Sequence, residues 1–272
     1  MGTTIEKAIY NRTSLLVGDP VMDALGSARV IIFGVGGVGS WCAEGLLRSG
    51  VTHLTVVDSD RVCITNVNRQ SMATTKTVGK VKVEALKDRL LEINPKAEIQ
   101  AVQEIYSEET AGLFDLDSFD YVVDAIDSFK DKAALILKAS ACKATFYSSM
   151  GAALKLDPTQ VRVAEFWDVR GCPLGAALRK RFRKRNTFPA KKFLCVYDGE
   201  VLPNLGKAAT CGTSQCICPK ASDGPGREDL LNHEWCSSKA QINGTTAHIT
   251  AIFGFTLSGL IIQDLYTRTL SK

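Results

Sequence analysis

A glycine-rich segment, Gly34-Val-Gly-Gly-Val-Gly39, has the residue types and spacing of a loop that binds phosphate groups. It follows the apolar run 30–33 and leads into residues 38–49, which have the apolar spacing of a helix. Glycines let the backbone approach a phosphate closely, and the N-terminus of a helix adds partial positive charge. We therefore expect a nucleotide to bind at the four glycines of this loop, Gly34, Gly36, Gly37 and Gly39.

Asp58 ends the next apolar run, about 20 positions after the loop, where an acidic residue would bind ribose hydroxyls. On this evidence alone the leading interpretation is an NAD-dependent enzyme. Arg69 and Lys82 change that interpretation, because a dehydrogenase has no use for two cations placed after the ribose-binding acid. An enzyme that cleaves ATP does, since three phosphates need neutralisation by cationic side chains and Mg²⁺.

A second acidic position follows the fourth apolar run, in the segment Asp124-Ala-Ile-Asp127-Ser. A carboxylate just outside the carboxyl edge of a parallel sheet is well placed to hold the metal ion of a bound nucleotide. Asp127 is thus the candidate Mg²⁺ ligand. The alternative interpretations are that Asp127 caps a helix and that Arg69 and Lys82 are solvated surface charges.

Four motifs occur in one order along the chain: GVGGVGS, DSDRVCITNVNRQ, VGKVKVE and DAIDS. Together they resemble the family of ubiquitin-activating enzymes and the bacterial relatives that activate ThiS- and MoaD-type sulfur carriers. The resemblance implies that Asp58 binds the ribose, that Asn66, Arg69 and Lys82 bind the phosphates, and that Asp127 binds Mg²⁺. The implied nucleotide-binding set is Gly34, Gly36, Gly37, Gly39, Asp58, Asp60, Asn66, Arg69, Gln70, Lys82 and Asp127.

The resemblance also implies a homodimer in which an arginine near the N-terminus of one subunit reaches the ATP of the other. Arg12, in Tyr10-Asn-Arg12, matches that motif, and the alternative is that it is a solvated surface charge. The residues expected to act in catalysis are Arg12, Arg69, Lys82 and Asp127.

Three further segments point to one branch of this family: GAALKLDPTQV from residue 151, PLGAALRKRFR from 173, and AIFGF from 251. They are similar to the tRNA threonylcarbamoyladenosine dehydratases, and the similarity extends from about Tyr10 to Leu265. It implies that ATP activates the threonyl carboxylate of a modified adenosine in the tRNA anticodon loop. Pyrophosphate leaves, and ring closure by the carbamoyl group then expels AMP.

A basic run at residues 179–185 carries six cations in seven positions, and Lys191 and Lys192 follow it. Such density is typical of contacts with phosphates, which are largely independent of sequence. From the residues alone we infer only a polyanionic partner, or else a solvated basic helix; the resemblance makes the partner tRNA rather than DNA. The candidate tRNA-binding residues are Arg179, Lys180, Arg181, Arg183, Lys184 and Arg185.

The cysteines do not form the two CxxC pairs that bind structural zinc in carrier-activating relatives. Cys211, Cys216, Cys218 and Cys236 could still form a tetrahedral site, or they could be free thiols. Cys236 is also a candidate nucleophile, but no neighbouring base is visible. Nine scattered cysteines, an odd number, with no apolar signal segment over residues 1–10, indicate a reduced, cytoplasmic protein.

Three functions remain open. The first is a tRNA-modifying adenylating enzyme, and the second is an activator of a ubiquitin-like sulfur carrier. The third is a non-catalytic nucleotide-binding module. The basic run and the missing CxxC pairs favour the first over the second, while Arg69, Lys82 and Asp127 argue against the third. The resemblance also leaves open a sulfur-transfer protein as a further partner.

The elements that position these residues alternate between strand and helix through residue 149, which predicts a Rossmann-like α/β fold. We expect a mostly parallel sheet with helices on both faces and a C-terminal α/β extension of the same domain. The expected parts are an N-terminal helical segment at 1–29, an ATP-binding core at 30–160, and an extension at 161–272. The predicted strands are 30–33, 54–58, 99–102, 121–124, 145–148 and 161–166, and the predicted helices are 38–49, 81–93, 107–114, 130–143, 174–185 and 242–269.

Composition is that of an ordinary globular protein: 272 residues, 45% hydrophobic and 23% charged, with a formal net charge of +4. One stretch, 247–262, is largely apolar but contains His248 and three hydroxyl side chains, and Gln263 and Asp264 follow it. A membrane-spanning helix needs roughly 20 apolar residues. We therefore expect a buried core or dimer-interface helix here, without membrane insertion.

Overall fold

The computed structural model describes residues 4–206 and 243–271. Its sheet has seven strands in the order β3-β2-β1-β4-β5-β7-β6, and every neighbouring pair is parallel except β6 with β7. The strands are β1 (Arg29–Phe33), β2 (His53–Val57), β3 (Glu98–Val102), β4 (Tyr121–Asp124), β5 (Thr145–Ser149), β6 (Arg162–Glu165) and β7 (Leu194–Tyr197). The helices are α1 (Thr4–Ile9), α2 (Asn11–Val17), α3 (Asp19–Ser27), α4 (Gly39–Ser49), α5 (Lys82–Ile93), α6 (Phe129–Ala141), α7 (Pro173–Arg185) and α8 (Ala247–Leu270).

Both faces of the sheet are covered, as the apolar runs predict. Along β1, Val30 and Ile32 point into one core, which α3, α4, α5 and α8 complete. Ile31 and Phe33 point into a second core on the other face, which α6 and α7 complete. Because side chains alternate along a strand, continuous apolar runs are expected for strands buried on both faces. The α/β fold with helices on both faces is therefore confirmed.

Helix α8 belongs to the first core. Ile249, Phe253, Leu257 and Ile261 lie on one face of it and are fully buried. It crosses α4 at very short range, since a Cβ added at Gly254 would lie 2.5 Å from the carbonyl oxygen of Val38. Among the described helices, α8 alone has the length and hydropathy to cross a membrane, and its packing against α4 is that of a core helix. Residues 243–246 are not helical, so α8 begins later than residue 242.

The predicted helix at 107–114 is wrong. The chain forms a turn there, followed by a 3-10 helix, Ala111–Leu113. The reason is local: the Thr110 hydroxyl donates to the carbonyl oxygen of Ile105, and the Ser107 hydroxyl accepts the backbone N–H of Glu109 (3.2 Å). Such side-chain bonds to the backbone compete with the hydrogen bonds of a helix.

Strand β7 was not predicted, because its four residues stand among Lys, Pro and Gly residues and are too few to show a period. It lies between β5 and β6, pairing parallel with the first and antiparallel with the second. Residues of the C-terminal extension thus complete the sheet that the first half begins, as expected for an extension of one domain. The N-terminal segment forms the three short helices α1, α2 and α3.

Candidate nucleotide-binding site

The candidate site lies where the order of the strands reverses. From β1 the chain continues outward to β2 and β3, and it then returns to the other side of β1 as β4. The loops that leave β1 and β4 therefore diverge and open a crevice at the carboxyl edge of the sheet, the usual ligand position in this class of fold. The glycine loop, Asp58 and Asp127 all follow strand ends at this edge.

Two glycines fix the shape of the loop between β1 and α4. Gly34 has φ +83°, and a Cβ there would lie 2.7 Å from the carbonyl oxygen of Ala125 in the loop after β4. A Cβ at Gly39 would lie only 1.9 Å from the carbonyl oxygen of Gly34. Because no other residue fits these two positions without moving the backbone, the loop is built around bare main chain. Gly36 is less crowded, with the Gln70 Nε2 3.8 Å from its ideal Cβ position.

Asp58 connects the end of β2 to this loop. One carboxylate oxygen accepts the backbone N–H of Val35 (2.9 Å), and the other accepts the backbone N–H of Asp60 (2.9 Å). Its side chain is 11% exposed. A carboxylate has about four acceptor sites, so two bonds to the backbone fix its orientation and leave capacity for the hydroxyls of a ribose.

Lys82 is the buried cation of the site. Its Nζ lies 2.7 Å from the Asp60 carboxylate and 3.8 Å from the Asp58 carboxylate. Burial opposes protonation, but the charges of Asp58, Asp60 and Asp127 and the hydrogen bond that Lys82 donates to Asp60 outweigh it and raise the pKa of Lys82. Lys82 therefore carries its charge at neutral pH. It is also the first residue of α5, whose N-terminus adds positive potential.

Asp124 and Lys132 form a fully buried ion pair (2.8 Å) beneath the loop after β4. Lys132 also donates to the carbonyl oxygen of Ile126 (3.0 Å), and Asp124 accepts the backbone N–H of Ile126 (3.1 Å) and the Ser148 hydroxyl (2.6 Å). The pair thus holds Ile126, the neighbour of the exposed Asp127, from both sides. The sequence did not predict this ion pair, because a lysine inside an amphipathic helix ordinarily lies on the solvent side. The one indication of a buried cation in the sequence is Asp124 itself, a carboxylate at the end of a buried strand that needs a partner.

Arg69 and Gln70 approach the glycine loop from the segment that follows the 3-10 helix Ile64–Asn66. Arg69 Cδ lies 3.3 Å from where a Gly37 Cβ would be, and its guanidinium donates to the Thr65 carbonyl oxygen (2.8 Å). Gln70 is buried beside Gly36, and its Oε1 has no hydrogen-bond partner within residues 4–206 and 243–271. Because buried polar atoms are almost always bonded, this amide next to the loop is suited to a polar ligand.

Asn66 is buried, and its Oδ1 accepts the backbone N–H of Cys63 (2.9 Å), which closes the turn at the 3-10 helix Ile64–Asn66. The carboxamide therefore has a structural bond that the sequence did not indicate. It holds the segment from which Arg69 and Gln70 project, because the backbone N–H groups of both residues donate to the Asn66 carbonyl oxygen (3.0 Å each).

Arg12 does not join the other candidate residues within one chain. It is exposed on α2, and nearby Tyr10 accepts a hydrogen bond from Asn94 (3.0 Å), just after the last residue of α5. Lys82 begins the same helix, and twelve helical residues span about 18 Å. Leu15 and Leu16, on the same helix as Arg12, are about four-fifths exposed.

The basic run forms the last two turns of α7, as predicted. Phe182 and Leu178 anchor the helix in the second core, while Lys180, Lys184 and Arg185 are exposed. The other three cations have protein contacts: Arg179 donates to the Phe166 carbonyl oxygen, Arg181 lies over the Phe129 ring (5.5 Å), and Arg183 lies over the Trp167 ring (5.4 Å). Phe129 follows Asp127 by two positions, so α7 borders the loop after β4.

The candidate zinc ligands Cys211, Cys216, Cys218 and Cys236 lie outside the described residues. The structure describes five cysteines, and no two of them are joined by a disulfide: Cys42, Cys63, Cys142, Cys172 and Cys195. In the same part of the chain, no three His, Cys, Asp or Glu side chains are grouped to hold a metal ion by themselves.

Comparison with known proteins identifies a related family. The model of the ThiF family matches residues 10–263. The tRNA threonylcarbamoyladenosine dehydratase of Bacillus subtilis (strain 168) is 41% identical over 257 residues, which cover 94% of each chain. The molybdopterin-synthase adenylyltransferase of Escherichia coli (strain K12) is 32% identical over 211 residues, which cover 76% of this chain and 80% of that protein.

The structure is also similar to crystal structures of the E. coli tRNA N6-threonylcarbamoyladenosine dehydratase. The complex of that enzyme with ATP superposes with a TM-score of 0.80 at 26% sequence identity, covering 99% of this chain and 98% of that one. Its complex with AMP gives a TM-score of 0.81 with the same identity and coverage. The likeness thus extends over both halves of the chain.

Proposed function

The chain belongs to the ThiF family, and we propose that it is an ATP-dependent tRNA threonylcarbamoyladenosine dehydratase. The observation that carries the proposal is the junction between two surfaces. The crevice with the glycine loop, Lys82 and Asp127 suits a nucleotide, and the basic helix α7 borders the loop that carries Asp127, through the contact of Arg181 with Phe129. The similarity to dehydratases along nearly the whole chain supports this reading of the two surfaces.

The proposed reaction has two steps. An oxygen of the threonyl carboxylate attacks the α-phosphorus of ATP, and the bond to the β-phosphate oxygen breaks to release pyrophosphate. The carbamoyl group then attacks the resulting acyl adenylate, loses a proton and expels AMP as the ring closes. The sum is loss of one water from the modified adenosine, with its oxygen carried away on AMP. The E. coli relative has been crystallised with ATP and with AMP.

We assign the polar residues of the crevice as follows. Asp58 binds the ribose, and the cations of Arg69 and Lys82 offset the phosphate charge that grows as pyrophosphate departs. Asp127 would hold Mg²⁺, and the ion would supply neutralisation of the phosphate charge. One carboxylate is enough for such a site, because proteins commonly bind Mg²⁺ through one or two carboxylates together with substrate phosphates. Asp60, Asn66 and Gln70, in the segment between β2 and α5, shape the pocket around the nucleotide.

We further propose a cytoplasmic homodimer. Tyr10 contacts Asn94 just past the C-terminal end of α5, whereas Lys82 begins that helix, so we infer that Arg12 acts on the ATP of a second subunit rather than on that of its own chain. The same N-terminal helices expose three large apolar side chains, those of Ile5, Leu15 and Leu16, as an interface with another subunit would. We propose that a second copy covers these side chains and supplies its Arg12 to the site.

A second candidate function is activation of the C-terminus of a ubiquitin-like sulfur carrier. The similarity to a molybdopterin-synthase adenylyltransferase favours it, because adenylation of a carboxylate is common to both reactions. The basic helix has no evident use in that reaction. A sulfur-transfer protein as an additional partner stays a prediction of the family resemblance.

Exchange of labelled pyrophosphate into ATP separates the two functions. The purified protein is offered tRNA carrying threonylcarbamoyladenosine, the same tRNA without the modification, or a ThiS- or MoaD-type carrier. We expect exchange and AMP release only with the modified tRNA, together with a product lighter by one water. Exchange with the carrier and none with modified tRNA would reject the dehydratase in favour of the second candidate.

A further inference from the structure

We propose that Phe188 and Trp167 form a platform beside α7 on which an unpaired base of the tRNA loop stacks. The inference rests on the proposed function and adds to it a base-contacting site. Phe188 is 52% exposed, although it is a large apolar side chain next to a helix of cations. Its ring centroid lies 6.1 Å from that of the partly buried Trp167, with the planes tilted by 43°.

Trp167 anchors the platform on buried aromatic rings. Trp167 packs edge to face on Phe166 (5.2 Å), and Phe166 in turn stacks on Phe193 (5.1 Å) within the second core. The backbone N–H of Trp167 donates to the Glu165 carboxylate (2.8 Å). A ring held in this way loses little freedom when a base stacks on it, so most of the stacking energy contributes to affinity.

The position of Phe188 follows from how α7 ends. Asn186 adopts the left-handed conformation (φ 50°, ψ 39°), which asparagine tolerates better than most residues. Its backbone N–H donates to the Arg183 carbonyl oxygen (3.2 Å), and that of Thr187 donates to the Phe182 carbonyl oxygen (3.1 Å). These two bonds close the helix and turn the chain sharply, which brings Phe188 back beside Trp167.

Cations connect the platform to the nucleotide site. Successive residues of a helix are about 100° apart, and Phe182 points into the core. The solvent side of α7 therefore runs from Arg181 through Lys184 and Lys180 to Arg183. Arg181 lies over Phe129, beside the Asp127 loop, and Arg183 lies over Trp167 at the opposite flank. A phosphate backbone that crosses these charges would carry one nucleotide toward ATP and another toward Phe188.

This geometry favours RNA over an apolar protein segment. Sequence-specific binding of RNA targets loops, whose splayed bases stack on aromatic rings and on arginine guanidinium planes. Arg183 over Trp167, with Phe188 beside them, supplies both kinds of surface within one cluster. The platform and the Asp127 loop are separated by the width of α7, about 10–12 Å with side chains. We therefore assign the platform to a loop base other than the modified adenosine.

The test compares Phe188→Leu, which keeps an apolar side chain but removes the ring, with Phe188→Tyr, which keeps the ring. Phe119→Leu is the matched control, because Arg29 lies over that ring too (5.3 Å), but at the amino end of the sheet. The probe is an anticodon stem-loop RNA carrying threonylcarbamoyladenosine, together with versions that have one abasic loop position. Affinity for RNA, affinity for ATP, and turnover at saturating RNA are measured on each full-length protein.

We expect Phe188→Leu to weaken RNA binding between about 5- and 100-fold, the range for removal of one stacked base. Phe188→Tyr and Phe119→Leu should stay within about twofold, and ATP affinity should not change. One abasic position, distinct from the modified adenosine, should weaken binding to the wild-type protein but not further weaken binding to Phe188→Leu. Turnover at saturating RNA should be preserved, because the ring touches no reacting atom.

The outcomes separate the platform from the enzyme. Normal RNA affinity in Phe188→Leu, with modified-tRNA-dependent AMP release intact in the wild type, overturns the platform and leaves the proposed function standing. Equal losses at every abasic position would mean contact with the backbone rather than with a base. A wild-type chain that neither binds the RNA nor releases AMP with it overturns both, and a loss of carrier-protein affinity in Phe188→Leu would assign the rings to a protein partner.

Discussion

Lys132 Nζ lies 2.8 Å from the Asp124 carboxylate, and neither side chain has any exposed surface. This pair is the support of the loop that carries Asp127, because Lys132 and Asp124 each bond to the backbone of Ile126. A buried charge that loses its partner is strongly destabilising. The pair therefore links the stability of the second core to the geometry of the candidate Mg²⁺ ligand.

We predict that Lys132→Met lowers the free energy of unfolding by about 3–5 kcal/mol, since it leaves the Asp124 carboxylate buried and unneutralised. Adding Asp124→Asn should recover much of this loss, because the amide is neutral and its oxygen still accepts from Ile126. Denaturant unfolding of the single and double variants measures both effects. A single variant as stable as the wild type would show that the pair is not a structural support.

We predict that Gly39→Ala weakens ATP binding at least about tenfold, because its Cβ would meet the Gly34 carbonyl oxygen at 1.9 Å and displace the loop to which we assign phosphate binding. Gly26→Ala is the matched control, in a helix with no atom within 4 Å of the new Cβ. It should leave ATP binding unchanged and stabilise the protein by up to about 1 kcal/mol. Calorimetric titration with ATP measures the affinity of each variant. Equal affinities in the two variants would contradict the prediction that a Cβ at position 39 displaces the loop.

We predict that Asp127→Ala and Arg12→Ala are each inactive as homodimers but complement one another when mixed. Loss of the metal ligand should cost about 10²-fold or more in adenylation. Random exchange of subunits makes half the dimers mixed, each with one intact site, so about a quarter of wild-type activity should return. Mass spectrometry confirms the exchange. Mixed dimers without activity would rule out an arginine supplied by the partner.

We predict that replacing the outward cations Lys180, Lys184 and Arg185 with alanine weakens tRNA binding and flattens its salt dependence. The slope should fall by up to about 0.9 log units for each phosphate that the variant no longer neutralises. Lys96, Lys138 and Lys143 form a control triple of exposed lysines near the amino edge of the sheet. When tRNA affinity is measured from low to high salt, the α7 triple variant should show a smaller salt dependence than the control triple variant. Identical slopes for the two variants would mean that the cations of α7 are only solvated surface charges.

We predict a pH-dependent contribution from Glu44, which joins α4 to α5. Its carboxylate is 4% exposed and bonds Arg89 (2.7 Å) and Arg48 (2.9 Å). Burial alone would raise the pKa of Glu44, but the two arginines outweigh burial and lower it from the usual 4.5. The stabilisation is therefore present above about pH 4.5 and is lost as the pH falls through the lower, folded-state pKa.

The variant Glu44→Gln should accordingly cost about 1–2 kcal/mol of unfolding free energy at pH 7. The difference from the wild type should shrink steadily below about pH 4.5, where the wild-type carboxylate becomes protonated as well. Urea unfolding at a series of pH values from 7 to 3 measures it. A difference that stays constant over that range would mean that the charge of Glu44 contributes nothing.

The sequence by itself determined the fold class and the local parts of the candidate nucleotide site. Gly34, Gly39, Asp58 and Lys82 stand at the ends of elements that their own apolar periods define, and the parallel sheet then brings those ends to one edge. Local patterns along the chain are therefore enough to predict the residues of such a site. The predicted helix at 107–114 failed for an equally local reason, the hydroxyl groups of Ser107 and Thr110.

Only the tertiary structure decided how these parts are connected. The place of β7 between β5 and β6 and the contact of Arg181 with Phe129 join residues that are distant in sequence. Asp124 and Lys132 are only eight residues apart, but the end of β4 and the buried side of α6 must pack together before the two charges meet. The same is true of Phe188 beside Trp167, which no period or motif indicates. Packing between elements selects such contacts by shape and burial, and neither quantity can be read from spacing along the chain.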